Sequence, residues 1–160
     1  MRSQPFRRIL VAVDDSAAAL AAVRLAVDLA SPSHAVLLLA HVVGDGELDR
    51  ALARLSHEGR GTPATSRDDA AAALLRHVHA EARAAGVAAE TRSLTGRPAP
   101  RLLEAAREWG ADLVVIGRSD AGGPGHGYVG AVTREVLEFS EVAVLVVPRS
   151  GLASETPDSA

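Results

Sequence analysis

Lysine and cysteine are both absent from this chain, and aromatic residues make up only 2% of it. Each absence removes a class of chemistry. Without cysteine there is no disulfide, no thiol nucleophile and no thiolate metal site. Without lysine there is no Schiff base and no Walker-type lysine to cradle a phosphate; all seventeen basic residues are arginine. With two phenylalanines, one tyrosine and one tryptophan, the core has to be built from Val, Leu, Ile and Ala. That composition suits parallel strands buried on both faces. The formal net charge of −3 leaves no basic footprint for nucleic acid. Long hydrophobic runs are missing too. The run Ile9–Val13 is cut short by Asp14 and Asp15, too soon for a secretory segment, and no stretch reaches membrane-spanning length. The expectation is a soluble, cytoplasmic protein with no nucleic-acid or membrane partner.

What remains is an alternation of short apolar runs and amphipathic stretches over 160 residues. This length predicts one domain, over residues 1–148, with a flexible polar tail over 149–160. Continuous apolar runs predict strands at 8–13, 35–43, 113–116 and 142–147, and an alternating edge strand at 88–95. Leu20, Val23, Val27 and Ala30 recur at helical spacing, so a helix is expected over 17–30, stopped by Ser31-Pro32-Ser33. Ser66-x-x-Asp69 reads as the start of a second helix that runs to about Ala85, with Gly86 as its stop. Further helices are expected over 99–109, ended by Gly110, and over 131–139. Residues 44–65 read as the least ordered internal stretch. Strands alternating with helices imply a parallel sheet with right-handed crossovers. The fold class is α/β: a five-stranded, mostly parallel open sheet with four helices on both faces, Rossmann-like in layout.

The most informative stretch runs from Asp112 to Pro148. The apolar strand ending in Gly117 leads into Arg118-Ser-Asp120, then Gly122-Gly-Pro-Gly-His-Gly127, then a helix opening at about Gly130. In open parallel sheets ligands sit at the carboxyl ends of strands. Free N–H groups at a helix N-terminus favour an anion there, phosphate above all. A plain surface loop fits the glycine content as well.

Several segments together resemble the universal stress protein family. They are Ile9-Leu-Val-Ala-Val-Asp14-x-Ser16, Leu39-x-His41-Val42, Gly96-x-Pro98, Ala111-Asp-Leu-Val-Val-Ile-Gly117 and Val144-Leu-Val-Val-Pro148. The resemblance implies strand order 3-2-1-4-5, with the switch point between the first and fourth strands. It also implies a homodimer paired through the last strand, Val142–Val147. An apolar run at a sheet edge independently favours such cover. Nucleotide-binding members carry Gly-x2-Gly-x9-Gly-Ser/Thr after the fourth strand. Gly117 and Gly130 match the first and third glycines, while Asp120 replaces the second and Ala131 replaces the Ser/Thr. By the same resemblance Asp14 would bond ribose hydroxyls, the backbone of Val42 would contact adenine, and Val132 and Thr133 would open the helix aimed at the phosphates.

The implied ligand is ATP with Mg²⁺, or another adenine nucleotide, held at a weakened site. A carboxylate about 4 Å from a phosphate costs about 1 kcal/mol in water and more when partly buried. A lost hydroxyl donor costs roughly 0.5–1.5 kcal/mol. Arg118 and Arg134 partly offset Asp120, which is also able to hold Mg²⁺ against phosphate. The alternative function is a dimeric interaction module of stress adaptation that binds no nucleotide.

Other readings compete less well. Asp14-Asp15 suggests a receiver-domain pocket, but the required lysine is absent. A two-aspartate phosphatase start needs an intervening residue. His77 and His79, two apart on a helix, cannot share a metal. His34, His41 and His57 show no ligand spacing, and His126 lies in the glycine loop, where a protonated ring would meet phosphate. Ser16 and Ser119 fall near the site without a general base. Trp109 reads as a lid on the sheet. No catalytic constellation is visible, so a binding role rather than an enzyme is expected, with a slow ATPase or a phosphotransfer protein as the third and least favoured alternative.

Overall fold

Ile9, Leu10 and Val11 have no exposed surface, because helices cover both faces of the strand that carries them. The computed structural model describes residues 6–44, 64–118 and 129–149. In chain order the described elements are β1 (Arg8–Ala12), α1 (Ala17–Ser33), β2 (Val36–Val43), α2 (Ala64–Ala84) and β3 (Ala89–Thr95). They continue with α3 (Pro98–Trp109), β4 (Leu113–Gly117), α4 (Ala131–Phe139) and β5 (Ala143–Val147). The strands form one sheet in the order β3-β2-β1-β4-β5, and every neighbouring pair is parallel. This is the architecture and order expected from the sequence.

Side chains alternate across a strand, and the core divides accordingly. Ile9, Val11, Leu37, Leu39 and Val115 pack with α1 and α2 on one face. Leu10, Leu38, Ala40, Val114 and Ile116 pack with α3 and α4 on the other. The chain leaves β1 toward one face and β4 toward the other. Between their carboxyl ends a crevice opens.

Two helix boundaries differ from the expectation by more than one residue. The first helix does not stop at Ser31-Pro32-Ser33 but runs through Pro32 to Ser33. Pro32 and Asp28, the residue one turn before it, are both exposed, so the missing N–H bond strands no buried carbonyl. The last turn is closed by other donors. Ser33 Oγ donates to the carbonyls of Leu29 and Ala30 at 3.0 and 3.2 Å, and Ala35 N donates to Ala30 at 3.1 Å. His34 then ends the helix at φ 52. The second helix already includes residues 64 and 65, so Ser66 lies inside its first turn rather than at its cap. Gly86 and Gly110 end α2 and α3 as expected, both in the left-handed region, at φ 73 and 72. The stretch 45–63 and the tail from 150 lie outside the described residues.

At the amino-terminal edge of the sheet, the Asp112 carboxylate accepts the backbone N–H of Arg7 (2.8 Å) and of Arg8 (3.2 Å). The Arg8 guanidinium stacks 4.2 Å from the ring centre of Trp109. Trp109 is buried and covers its end of the α3 face of the sheet.

Candidate functional site

The crevice at the other end of the sheet is built from five local structures. The first is the turn after β1. Val13 N donates to Ala40 O at 2.8 Å, and the chain then leaves the sheet. Asp14 Oδ1 accepts the N–H of Ser16 at 2.8 Å, and Ser16 Oγ accepts the N–H of Ala19 at 3.1 Å. Ser16 is therefore the N-cap of α1, and the exposed Asp14 carboxylate is held at the crevice mouth with one oxygen already engaged.

The second is the end of β4. A β-carbon on Gly117 would lie 2.6 Å from the Ala18 carbonyl carbon and 2.7 Å from Ala19 N. Only glycine lets the strand end pass this close to the first turn of α1. Arg118 N donates to Val147 O at 2.7 Å, which keeps the next residue in register with β5.

The third is the start of α4. Gly130 is the N-cap, and no side chain among the described residues caps it. Its carbonyl takes the first intrahelical bond, from Arg134 N at 3.0 Å. The first turn carries no acidic residue, and its leading N–H groups make an electropositive end. Thr133 is 2% exposed, and its hydroxyl donates to Gly117 O at 3.2 Å. That hydroxyl points into the fold, so Thr133 offers the crevice its backbone and not its side chain. Ala131 has no hydroxyl to offer.

The fourth is the start of α3, where Pro98 and Leu102 give one apolar wall. An exposed ion pair between Arg97 and Glu135 (3.1 Å) joins this end of α3 to α4.

The fifth is the end of β2. Its even-numbered residues turn their N–H and C=O toward β1: Val36 N donates to Arg7 O at 2.9 Å, and Ala40 O accepts Val13 N. Val42 has the same orientation, but β1 has left the sheet by then. Its N–H and C=O face the crevice side by side.

These parts enclose a cleft of about 430 Å³, the size of a small-molecule site. Asp14, Val42, Gly117, Gly130, Val132 and Thr133, the six candidates from the sequence, all line it. Ser16, His41, Pro98, Leu102 and Arg118 also line it. His41 shows no metal-ligand spacing in the sequence, but it stands beside Val42 at the same strand end. Pro98 and Leu102 come from a helix whose approach only the fold reveals. His77 and His79 lie elsewhere: His77 is exposed on α2, and His79 Nε2 bonds the Ala89 carbonyl at 3.1 Å. Among the described residues no cluster of His, Asp or Glu is arranged to hold a metal. Ser119, Asp120 and His126 lie outside the described residues.

The cleft thus combines apolar walls, a backbone donor–acceptor pair, a carboxylate at the mouth and a helix N-terminus. Such a set suits a flat heterocycle joined to a hydroxylated, anionic group.

Known proteins share this fold. The model of the "Universal stress protein family" matches residues 5–148. Universal stress protein YxiE of Bacillus subtilis is 29% identical over 158 residues, covering 89% of this chain and 99% of that protein. The structure of universal stress protein UspA from Lactobacillus plantarum is 26% identical with a TM-score of 0.71, covering 88% of this chain and 96% of that one. A universal stress protein crystallised in complex with cAMP is 27% identical with a TM-score of 0.67, covering 91% of this chain and 98% of that one. On this match over nearly its whole length, the chain belongs to the universal stress protein family.

Proposed function

We propose that the cleft binds an adenine nucleotide and that the protein acts in stress adaptation by binding rather than by catalysis. The observation that carries this reading is the free N–H and C=O of Val42 in the same cleft as Asp14 and the α4 N-terminus. A donor and an acceptor side by side match N1 and the N6 amino group of adenine. Guanine presents the opposite pattern, so the same pair opposes it. Asp14 accepts ribose hydroxyls with its remaining oxygen lone pairs, and the leading N–H groups of α4 receive a phosphate. The cAMP complex of a relative at 27% identity supports the same ligand class.

No nucleophile with an adjacent base lines the cleft among the described residues, which favours a binding protein. Calorimetric titration of stripped protein with ATP, ADP and AMP, with and without Mg²⁺, tests the reading. Micromolar binding that is lost in Asp14→Ala supports it. No binding at millimolar ligand by folded protein overturns it. Removal of Mg²⁺ asks separately whether a cation assists.

A second reading rests on β5. It is an edge strand of the sheet, and Val144, Leu145 and Val146 on it are only half-buried. In this reading residues 1–148 form one unit that pairs with a second copy through Val142–Val147 and works as a dimeric interaction module in the cytoplasm. Sedimentation of the wild type against Leu145→Arg decides whether that edge is covered.

A further inference from the structure

The β1–β2 ladder stops one bond before its register requires. Arg8 pairs with Val36 and Ala12 with Ala40. Val36 N bonds Arg7 O, so the same step places Val42 N opposite Val13 O. Among the described residues that bond is not made. The Val13 carbonyl is instead within 2.6 Å of His41 Nδ1. A carbonyl only accepts, so Nδ1 carries the proton and the imidazole is the donor. His41 therefore bonds the acceptor that the register would give to its own neighbour in the chain, and the second lone pair of that oxygen takes no bond from Val42 N.

We propose that His41 is a positioning residue: its ring takes the Val13 carbonyl away from the Val42 amide and leaves the Val42 N–H free to read a base edge. The bond is short and half-buried, and it spans 28 residues between the two strands that end at the cleft. The same contact holds Val13 beside Asp14, so one side chain fixes both the backbone reader and the attachment point of the carboxylate. The competing cause is the Asp14–Ser16 turn, which on its own would pull β1 out of the sheet and end the ladder without help from His41.

The use of the freed amide rests on the adenine reading above; the freeing itself does not. Amide exchange followed by NMR on the ligand-free full-length protein tests the first step. The Val42 amide should exchange at least about tenfold faster than those of Leu38 and Ala40, which are laddered to β1. His41→Leu should slow it by about tenfold as the ladder closes, and His41→Asn, whose amide reaches the same carbonyl, should keep it fast. Adenosine and inosine titrations test the second step, because inosine presents a donor at N1. His41→Leu should lower adenosine affinity roughly five- to tenfold, leave inosine affinity in place and bring their ratio toward one, with His41→Asn restoring the ratio.

A protected Val42 amide in the wild type overturns the inference. So does a His41→Leu variant with unchanged exchange, which assigns the ladder end to the Asp14 turn. Should His41→Leu not fold, His41→Ala, which also removes the donor, decides by the same exchange measurement: slowed Val42 exchange supports the inference and unchanged exchange overturns it. A wild type that binds neither nucleoside removes the adenine reading, and the exchange result then stands alone.

Discussion

Gly117 lies against the backbone of Ala18, so close that a single added carbon would stand 2.6 Å from the Ala18 carbonyl carbon. The glycine that begins the candidate phosphate loop is thus required by the packing of β4 on α1, whatever the cleft holds.

Gly117→Ala should consequently destabilise the protein without any ligand present. The colliding atoms are backbone and cannot swing aside, so overpacking should cost about 1–3 kcal/mol. Urea denaturation measures it. An unchanged midpoint would mean that the strand end and the helix have slack between them.

Thr133 separates structure from binding in the opposite way. Its buried hydroxyl is committed to Gly117 O, so Thr133→Val should lose about 1–2 kcal/mol of stability. Thr133→Ser should retain most of it. If the hydroxyl served the ligand instead, Thr133→Val would unfold like the wild type and lose nucleotide affinity.

Ser16 caps α1 through the N–H of Ala19. Ser16→Ala should cost about 1 kcal/mol, the usual loss of an N-cap oxygen. Asp14→Ala removes an exposed carboxylate whose bond to Ser16 N contributes less, so its main effect should be on ligand affinity, by about tenfold or more. Denaturation and calorimetry on the two variants should therefore give opposite rankings.

Much of this was legible in the sequence, and the reasons are local. The buried strands are continuous apolar runs such as Ile9–Val13 and Leu113–Ile116, and the stops at Gly86 and Gly110 need a left-handed residue. Asp14, Gly117 and Gly130 could be found because they end or begin an element. Pro32 misled because its cost depends on which carbonyl it abandons, and Asp28 happens to face solvent. The direction of the Thr133 hydroxyl and the diversion of the Val13 carbonyl by His41 depend on contacts between different elements, 16 and 28 residues apart in the chain. No spacing rule within one segment reports them.

The single tryptophan sits at the end of the sheet opposite the cleft, stacked under Arg8. Asp112→Ala, which frees the N–H groups of Arg7 and Arg8, should loosen that stack and cost about 1–2 kcal/mol. A shift in Trp109 emission checks it. Nucleotide should leave the same emission unchanged in the wild type, because α3 separates its reporter at one end from the cleft at the other.

The Thr133–Gly117 bond has one more consequence. It fastens the chain just after the glycine-rich stretch to the residue just before it, while Arg118 is held by Val147. Both ends of the intervening segment are thus tied down by the scaffold itself. Doubling the length of a connection between fixed ends costs only about 0.6 kcal/mol. A connection between ends fixed in this way should therefore tolerate changes of length while the sheet that carries it stays the same.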